Sequence, residues 1–126
     1  MLTHSMVGSS DVARSKAFYD ATLGALGVPP GHDAGTRVFY STGAGPAFGV
    51  GLPADGKPAC CANGGTIGFA APDPAAVDAW HAAGLANGGT DEGAPGPRAN
   101  APGNAYGAYL RDPDGNKLCA FCQVSG

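Results

Sequence analysis

The feature that most constrains the fold of this 126-residue chain is an internal repeat with an offset of 62 residues. Asp11, which can cap a helix, recurs as Asp73, and the aromatic Phe18 recurs as Trp80. In both copies the aspartate precedes apolar side chains at helical spacing, and a glycine or an Asn-Gly pair follows them. The chain therefore contains two copies of one unit, each built around a helix.

Both helices have clear start and stop signals. The first is predicted to begin at Ser10 or Asp11 and to end at Gly27, with its apolar face at Val12, Tyr19, Leu23 and Leu26. The second is predicted to follow Asp73, with Pro74 in the first helical position and Asn87-Gly88 as the stop, and with its apolar face at Val77, Trp80 and Leu85. Their spacing assigns Phe18 and Trp80 to the core.

Short alternating segments surround both helices in the same order, which predicts the unit βαβββ twice. The predicted strands of the first unit are 2–8, about 30–34, 36–42 and 47–53, and those of the second are 65–71, about 89–94, 106–111 and 117–123. We therefore predict one α+β domain over residues 1–126, with module one at about 1–56, module two at about 62–126 and the break within 54–65.

Charge and hydropathy narrow the possible functions. The net charge is −3, and the seven Lys and Arg residues are scattered, so there is no basic stripe for nucleic acid. The amino terminus has no basic region followed by an apolar run, and nowhere do 18 apolar residues succeed one another. These patterns predict a cytoplasmic protein without a membrane or nucleic-acid partner.

The four cysteines are expected to be thiols, because a reducing compartment disfavours disulfides. Cys119 and Cys122 form a C-x-x-C, but an odd offset on a strand sends them to opposite faces, so they should not chelate one ion together. The neighbours Cys60 and Cys61 are interpreted as an exposed, oxidisable loop feature whose role is open.

The segment "DPDGN" at 112–116 is predicted to be a turn that Asp112 opens. Pro113 supplies the fixed φ of a type I turn, and Gly115 can take the left-handed conformation of a bulged hairpin. Its D-x-D-G pattern is also found in calcium loops, but the other oxygen ligands of an EF-hand are missing. The structural interpretation is therefore preferred.

Four segments carry a resemblance to a known family. They are "HSMVGSSDVARSKAFYDATLGALG", "GTIGFAAPDPAAVDAWHAAGLANGG", "GAPGPR" and "YGAYLRDPDGNKLCAF", which occur in this order and cover nearly the whole chain. The chain resembles the vicinal oxygen chelate superfamily, which contains glyoxalase I, bleomycin and fosfomycin resistance proteins and extradiol dioxygenases. The resemblance implies two βαβββ modules whose curved sheets form a cup with the helices outside, and it implies a homodimer.

The resemblance also implies where a metal would be held. Family members with a metal use His, Glu or Gln at one position on the first and one on the last strand of each module. On the first strands, seven residues before each capping aspartate, this chain has His4 and Thr66. On the last strand of module two, four residues beyond Gly115, it has Cys119. When Gly45 is aligned with Gly115, the matching position on the last strand of module one is Gly49. One imidazole and one thiol remain out of four donors, so we expect no metal and no cofactor.

Strand alternation predicts which side chains line the cup. Bulky residues should face the helices, namely Phe48, Val50, Leu52, Ile67, Phe69, Leu118, Ala120 and Cys122. The concave side should then carry His4, Met6, Ala47, Gly49, Gly51, Thr66, Gly68, Ala70, Lys117, Cys119 and Phe121. Many of these residues are small, which predicts a roomy, mostly apolar pocket for a small organic ligand.

Several polar residues have more than one interpretation. In the resembled fold Arg98 and Tyr106 border the cup and could bind an anionic or polar ligand. The alternatives are surface solvation for Arg98 and core packing for Tyr106. His4 could bind a metal, but pocket lining is favoured. Cys119 could be a ligand, a nucleophile activated by His4 or a small filler, and the filler is favoured. His32 and His81 are assigned to a loop and to the surface.

Three hypotheses follow. The first is a metal-independent family member that binds a small organic molecule, as drug-sequestering members do. The second is a glyoxalase, lyase or dioxygenase type of enzyme with a degraded or shifted metal site using His4 and Cys119. The third is a dimerising scaffold without a ligand.

Overall fold

A computed structural model describes residues 1–99 and 103–123 of the chain. Module one consists of β1 (His4–Gly8), α1 (Val12–Ala25), β2 (His32–Asp33), β3 (Arg37–Tyr40) and β4 (Ala47–Gly51). Module two consists of β5 (Ile67–Ala70), α2 (Pro74–Ala86), β6 (Thr90–Pro97), β7 (Ala105–Arg111) and β8 (Lys117–Gln123). The predicted βαβββ order occurs in both modules, although β6 continues three residues beyond the predicted end at 94.

The two modules form separate four-stranded sheets with the same topology. Their strand orders are β1-β4-β3-β2 and β5-β8-β7-β6, and in each sheet the first strand pairs in parallel with the last. The register places Met6 opposite Gly49 in the first sheet and Gly68 opposite Cys119 in the second. This arrangement confirms the predicted α+β class of two curved-sheet modules.

The two helices begin as their sequences predict. Asp11 and Asp73 are the N-caps, and their carboxylates accept hydrogen bonds from the Arg14 amide at 3.0 Å and the Ala76 amide at 2.8 Å. Each cap satisfies an amide that has no partner within its helix. Within residues 1–99 and 103–123, no helix is long and apolar enough to cross a membrane.

One hydrophobic core connects the two modules. Phe18 and Trp80 are fully buried, as predicted. The ring of Phe48 from β4 meets that of Phe69 from β5 edge-on, with 5.1 Å between centroids. Burying these large rings from both modules supplies much of the hydrophobic free energy that joins them.

Two apolar residues depart from the predicted core. Leu52 was expected to pack against a helix, but β4 ends at Gly51 and the Leu52 side chain is 44% exposed. Leu85 was expected on the apolar face of the second helix, but it is 47% exposed. Gly84, the residue before Leu85, is the one that packs against the sheet. It lies so close that a Cβ at Gly84 would collide with a methyl group of Leu110.

The turn after β7 joins module two to module one. Asp112 is buried and accepts hydrogen bonds from the Tyr19 hydroxyl of α1 and from the backbone and side-chain amides of Asn116. Asn116 in turn donates to the Gly8 carbonyl at 2.9 Å. Gly115 has a φ of 89°, the left-handed conformation predicted for it. The predicted turn is therefore also a polar junction between the modules.

Candidate functional site on the concave sheet faces

The four positions at which the resemblance implies metal ligands are divided between the two sheets. His4 lies at the exposed start of β1, and its Nδ1 is 2.9 Å from the Thr3 hydroxyl. Gly49 lies opposite Met6 and not opposite His4, and the Met6 sulfur occupies the space where a Gly49 side chain would begin. The first sheet therefore presents a thioether above Gly49.

In the second sheet Cys119 is adjacent to Gly68. The Cys119 sulfur is 3.3 Å from the point where a Cβ of Gly68 would lie, whereas Thr66 precedes β5. Burial raises the pKa of the Cys119 thiol, and the nearby Lys117 ammonium opposes this effect only partly. In the absence of a metal, Cys119 is therefore a protonated thiol at neutral pH, which makes it a poor nucleophile.

The donors at these positions do not fit the metal that the family implies. Within the described residues, no three His, Cys, Asp or Glu side chains form a group that could hold an ion. Gly49 offers no side-chain donor, and Thr66 offers only a neutral hydroxyl. Divalent metals in proteins bind imidazole, carboxylate or thiolate, so these positions provide at most His4 and Cys119, which belong to different sheets.

A cavity of about 550 Å³ lies on the concave face of module one. Its walls include His4, Met6, Arg37, Phe39, Asp55 and Cys60. Sequence reasoning assigned His4 and Met6 to the pocket but missed the other four residues. Strand alternation could have identified Arg37 and Phe39, because they flank Val38, which is fully buried in the core.

Two glycines of β4 shape the wall of this cavity. A Cβ at Gly49 would lie 2.9 Å from the Phe39 ring as well as against the Met6 sulfur. A Cβ at Gly51 would lie 2.6 Å from Cγ of Arg37. Both glycines therefore let longer side chains from neighbouring strands lie across β4.

The concave face of module two is covered by its own side chains. The Phe121 ring lies against Gly107, where a Cβ would be 2.6 Å from a ring carbon. Phe121 meets Tyr109 edge-on at 5.7 Å, and the Tyr109 ring has Arg98 at 5.8 Å and Lys117 at 5.2 Å from its centroid. Two of the predicted concave residues, Phe121 and Lys117, thus surround one tyrosine together with Arg98, and both cations are placed to attract its π system.

Arg98 and Tyr106 occupy different faces of the second sheet. The Arg98 guanidinium donates hydrogen bonds to the carbonyls of Ala94 and Gly96, which holds it against its own strand. Tyr106 lies on the helix side, where its hydroxyl donates to Asp78 of α2 at 2.6 Å. The hydrogen bond to Asp78 raises the Tyr106 pKa above its ordinary value. Tyr106 therefore links sheet to helix.

The histidine assignments need one correction. His81 was predicted at the surface, but it is buried, with Nε2 2.8 Å from an Asp91 carboxylate oxygen at the start of β6. Two hydrogen bonds lower the pKa of Asp91. The one with His81 has the larger effect, and the one from the Gly93 amide the smaller. The partner lies ten residues away across a turn, so helical spacing could not reveal it. His32 is exposed, but it lies in β2 and not in a loop.

The neighbouring cysteines point into different environments. Cys60 and Cys61 are both exposed thiols. Cys60 lines the cavity of module one, whereas Cys61 lines a second cavity together with Thr66, Arg111 and Lys117. The two sulfurs therefore do not converge on one site.

Comparisons with solved structures agree with this fold. A glyoxalase/bleomycin resistance protein from Albidiferax ferrireducens T118 is 51% identical, with a TM-score of 0.91 over 98% of this chain and 99% of that one. A lactoylglutathione lyase from Agrobacterium tumefaciens is 26% identical, with a TM-score of 0.63 over 96% and 92% of the two chains. A glyoxalase/bleomycin resistance protein/dioxygenase family enzyme from Burkholderia phytofirmans PsJN, at 18% identity, a TM-score of 0.72 and 97% and 98% coverage, shares the fold.

Sequence comparison identifies the family. No curated protein matches the chain. The family model of the Glyoxalase/Bleomycin resistance protein/Dioxygenase superfamily matches residues 1–120, which is almost the entire chain. Together with the repeated βαβββ modules, this match shows that the chain belongs to the glyoxalase/bleomycin resistance protein/dioxygenase superfamily.

Proposed function

We propose that this protein binds a small organic molecule in the cavity of module one and does so without a metal ion. The observation that carries the proposal is the cavity itself. Its volume of about 550 Å³ lies within the range of small-molecule pockets, and its walls combine apolar Met6 and Phe39 with polar His4 and Arg37. Such a lining can bury an apolar ligand body while orienting its polar groups.

The donor chemistry supports a metal-independent role. Lewis-acid isomerisation and dioxygen activation require a metal with a fixed set of ligands and open positions. The four positions do not provide that set, because Gly49 has no side chain and Thr66 has only a neutral hydroxyl. Binding, in contrast, needs only a shaped cavity and a few oriented polar groups.

We further propose that the protein acts as a cytoplasmic homodimer in which a second copy covers the open side of this cavity. Met6 and Leu52, which both line the cavity, are 39% and 44% exposed, so part of an apolar wall faces solvent. A second subunit would remove this surface from water. Sedimentation equilibrium should give twice the chain mass of 12.3 kDa, and a monomer at high protein concentration would contradict the dimer.

A ligand screen with matched variants tests the binding proposal. Aromatic drugs, thiol conjugates and small acids would be screened by thermal shift, because a ligand of the native state raises its apparent stability. Gly49→Leu places a side chain in the cavity wall, whereas a side chain at Gly24 of α1 would meet no atom within 4 Å. We expect a ligand to stabilise the wild type and Gly24→Leu but not Gly49→Leu. Equal stabilisation of both variants would contradict binding in this cavity.

The alternative is an enzyme of glyoxalase or lyase type that uses His4 and Cys119 in a shifted metal site. The 26% identity to the lactoylglutathione lyase from Agrobacterium tumefaciens supports this alternative function. Metal analysis of protein purified without chelators distinguishes it. A stoichiometric nickel, zinc, manganese or iron ion that is lost in Cys119→Ala would support the enzyme and contradict the metal-independent proposal.

A further inference from the structure

We propose that the ligand of the module-one cavity is an organic anion, with an apolar body and one carboxylate or similar group bound by Arg37. This inference rests on the proposed binding function and adds the chemical class of the ligand. Neither the family match nor the resemblance assigns a role to Arg37, which sequence analysis also left without one. The argument depends on the charges and contacts of the cavity wall.

Arg37 is an exposed residue that brings a positive charge to the cavity wall without a direct ion pair. Among the described residues that line the cavity, Arg37 is the one Arg or Lys. Within residues 1–99 and 103–123 its guanidinium has no hydrogen bond or ion pair to a protein group. Other arginines of the chain are engaged, since Arg14 pairs with Asp114 at 3.1 Å and Arg111 with Glu92 at 2.9 Å. The donors of Arg37 therefore remain available for a ligand.

Among the described residues that line this cavity, Asp55 is the one carboxylate, and it accepts a hydrogen bond within its own turn. Asp55 lines the cavity, but one of its oxygens accepts a hydrogen bond from the Lys57 amide at 2.9 Å, which holds it in its own turn. It is not paired with Arg37 in the described structure. A bound anion would therefore meet a guanidinium that is not in direct contact with a carboxylate of the described residues.

Packing directs the Arg37 stem across the sheet. Cγ of Arg37 lies 2.6 Å from the point where a Gly51 Cβ would be, so the absence of a side chain at Gly51 lets the stem cross β4. A planar guanidinium with parallel N–H donors suits a carboxylate well. The glycine therefore gives the cation its position beside the apolar wall formed by Met6 and Phe39.

His4 adds a second polar contact to the same cavity. Its Nδ1 is next to the Thr3 hydroxyl, while its Nε2 has no protein partner among the described residues. An imidazole nitrogen can donate or accept a hydrogen bond. An anion with a further oxygen near its apolar body would use both Arg37 and His4.

Matched acids and amides test the inference. The probes are phenylacetate, 3-phenylpropanoate and 4-phenylbutanoate, each compared with its primary amide, which has nearly the same size but no charge. Binding is followed by amide chemical-shift changes in ¹⁵N-labelled full-length protein. We expect at least one acid to shift the amides of Arg37, Phe39 and Gly51 and to bind at least tenfold more tightly than its amide.

Two variants identify the source of this preference. Arg37→Gln keeps much of the stem and removes the charge, so the acid should bind no more tightly than the amide, whose affinity should be unchanged. Arg14→Gln makes the same charge change outside the cavity and should keep the preference. Equal affinity of acids and amides for the wild type, or a preference that survives in Arg37→Gln, would overturn the inference while leaving cavity binding intact. No shift at the cavity with any of the six probes would count against both the inference and the binding proposal.

Discussion

The two modules share one topology but treat their concave faces differently. In module one Met6 and Phe39 lie across Gly49, and a cavity of about 550 Å³ remains open beside them. In module two Phe121 lies across Gly107 and meets Tyr109 edge-on, with Lys117 above the Tyr109 ring. The two sheets therefore differ in where they leave space. The module-one cavity lies beside Met6 and Phe39, whereas in module two Phe121 and Tyr109 cover the middle of the concave face and the cavities of about 370 and 500 Å³ lie beside Lys117 and between Arg98 and Tyr106.

The turns that precede the last strands of the two modules also differ, because the turn of module two is partly buried and the turn of module one is exposed. In module two Asp112 is buried and bonded to Tyr19 of the other module. In module one the aligned position is Thr42, which is exposed and donates only to the Ala44 carbonyl at 2.9 Å. The turn of module two thus contacts the other module, while the matching turn of module one stays exposed.

The largest effect should come from breaking the junction at Asp112. Asp112→Ala removes the acceptor of the buried Tyr19 hydroxyl and of both Asn116 amides, and unsatisfied buried donors are costly, so we expect a loss of about 3 kcal/mol of unfolding free energy. Urea unfolding measures it. The matched change Thr42→Ala should cost less than about 0.5 kcal/mol. Equal losses would show that the two turns carry similar structural weight.

A pair of glycine substitutions compares the two concave faces directly. Gly107→Ala forces its Cβ to within 2.6 Å of the Phe121 ring, which Tyr109 restrains, so overpacking should cost about 2 kcal/mol. Gly49→Ala mainly meets the sulfur of Met6, which is 39% exposed and can rotate away, so the loss should stay below about 1 kcal/mol. Thermal unfolding of both variants measures the difference, and a larger loss for Gly49→Ala would contradict the assignment of the open face.

The helix side of module one should show a pH-dependent contribution from Asp20. Burial raises the pKa of Asp20, but hydrogen bonds from the Gly31 amide, Lys16 and Tyr40 hold that pKa below its ordinary value. A lowered carboxyl pKa stabilises the fold above the unfolded value of about 3.9, and this contribution is lost as pH falls through the folded pKa. We expect Asp20→Asn to cost about 1 kcal/mol at pH 7 and much less at pH 3.

Unfolding free energies between pH 3 and pH 7 check this dependence. Asp33→Asn is the control, because the Asp33 carboxylate is exposed and accepts a hydrogen bond from the Gly35 amide at 2.8 Å within its own turn. A difference between wild type and Asp20→Asn that stays constant with pH would contradict the interpretation. If Asp20→Asn lowers the unfolding free energy only above about pH 4, the contacts of the ionised Asp20 with Lys16 and Tyr40 contribute to the stability of module one.

The smallest effect should come from the cation above Tyr109. Lys117→Met keeps the length of the side chain and removes its charge, so we expect a loss of about 0.5 kcal/mol, typical of an exposed cation–π contact. A double-mutant cycle with Tyr109→Leu isolates the pair. A coupling energy near zero would leave the Tyr109–Phe121 contact as the main feature of this face.

The repeat made the fold predictable from the sequence. Asp11 and Asp73 cap their helices because a side-chain oxygen in that position bonds to nearby amides, which is a local effect. The alternation of β8 also predicted that Leu118 is buried, because strand periodicity is local as well. Local signals therefore determine the order of the elements.

Contacts between distant residues were not predictable in the same way. The bond from Tyr19 to Asp112 spans 93 residues, and the burial of His81 depends on Asp91 beyond the end of its helix. The register that places Met6 above Gly49 likewise depends on which residues pair across two strands. These features require the tertiary arrangement, whereas Arg37 could have been assigned to the concave face from the alternation around the buried Val38.

The buried carboxylate of Asp112 has a consequence for the history of the duplicated chain. Separating the halves at 54–65 would leave Asp112 without Tyr19 and expose the aromatic rings that the halves share. Neither half could then return to an autonomous existence without further substitutions, since both would have lost contacts that only the other supplies. The concave faces of the two copies can therefore differ, whereas each copy depends on the other for the Tyr19–Asp112 hydrogen bond and the shared core.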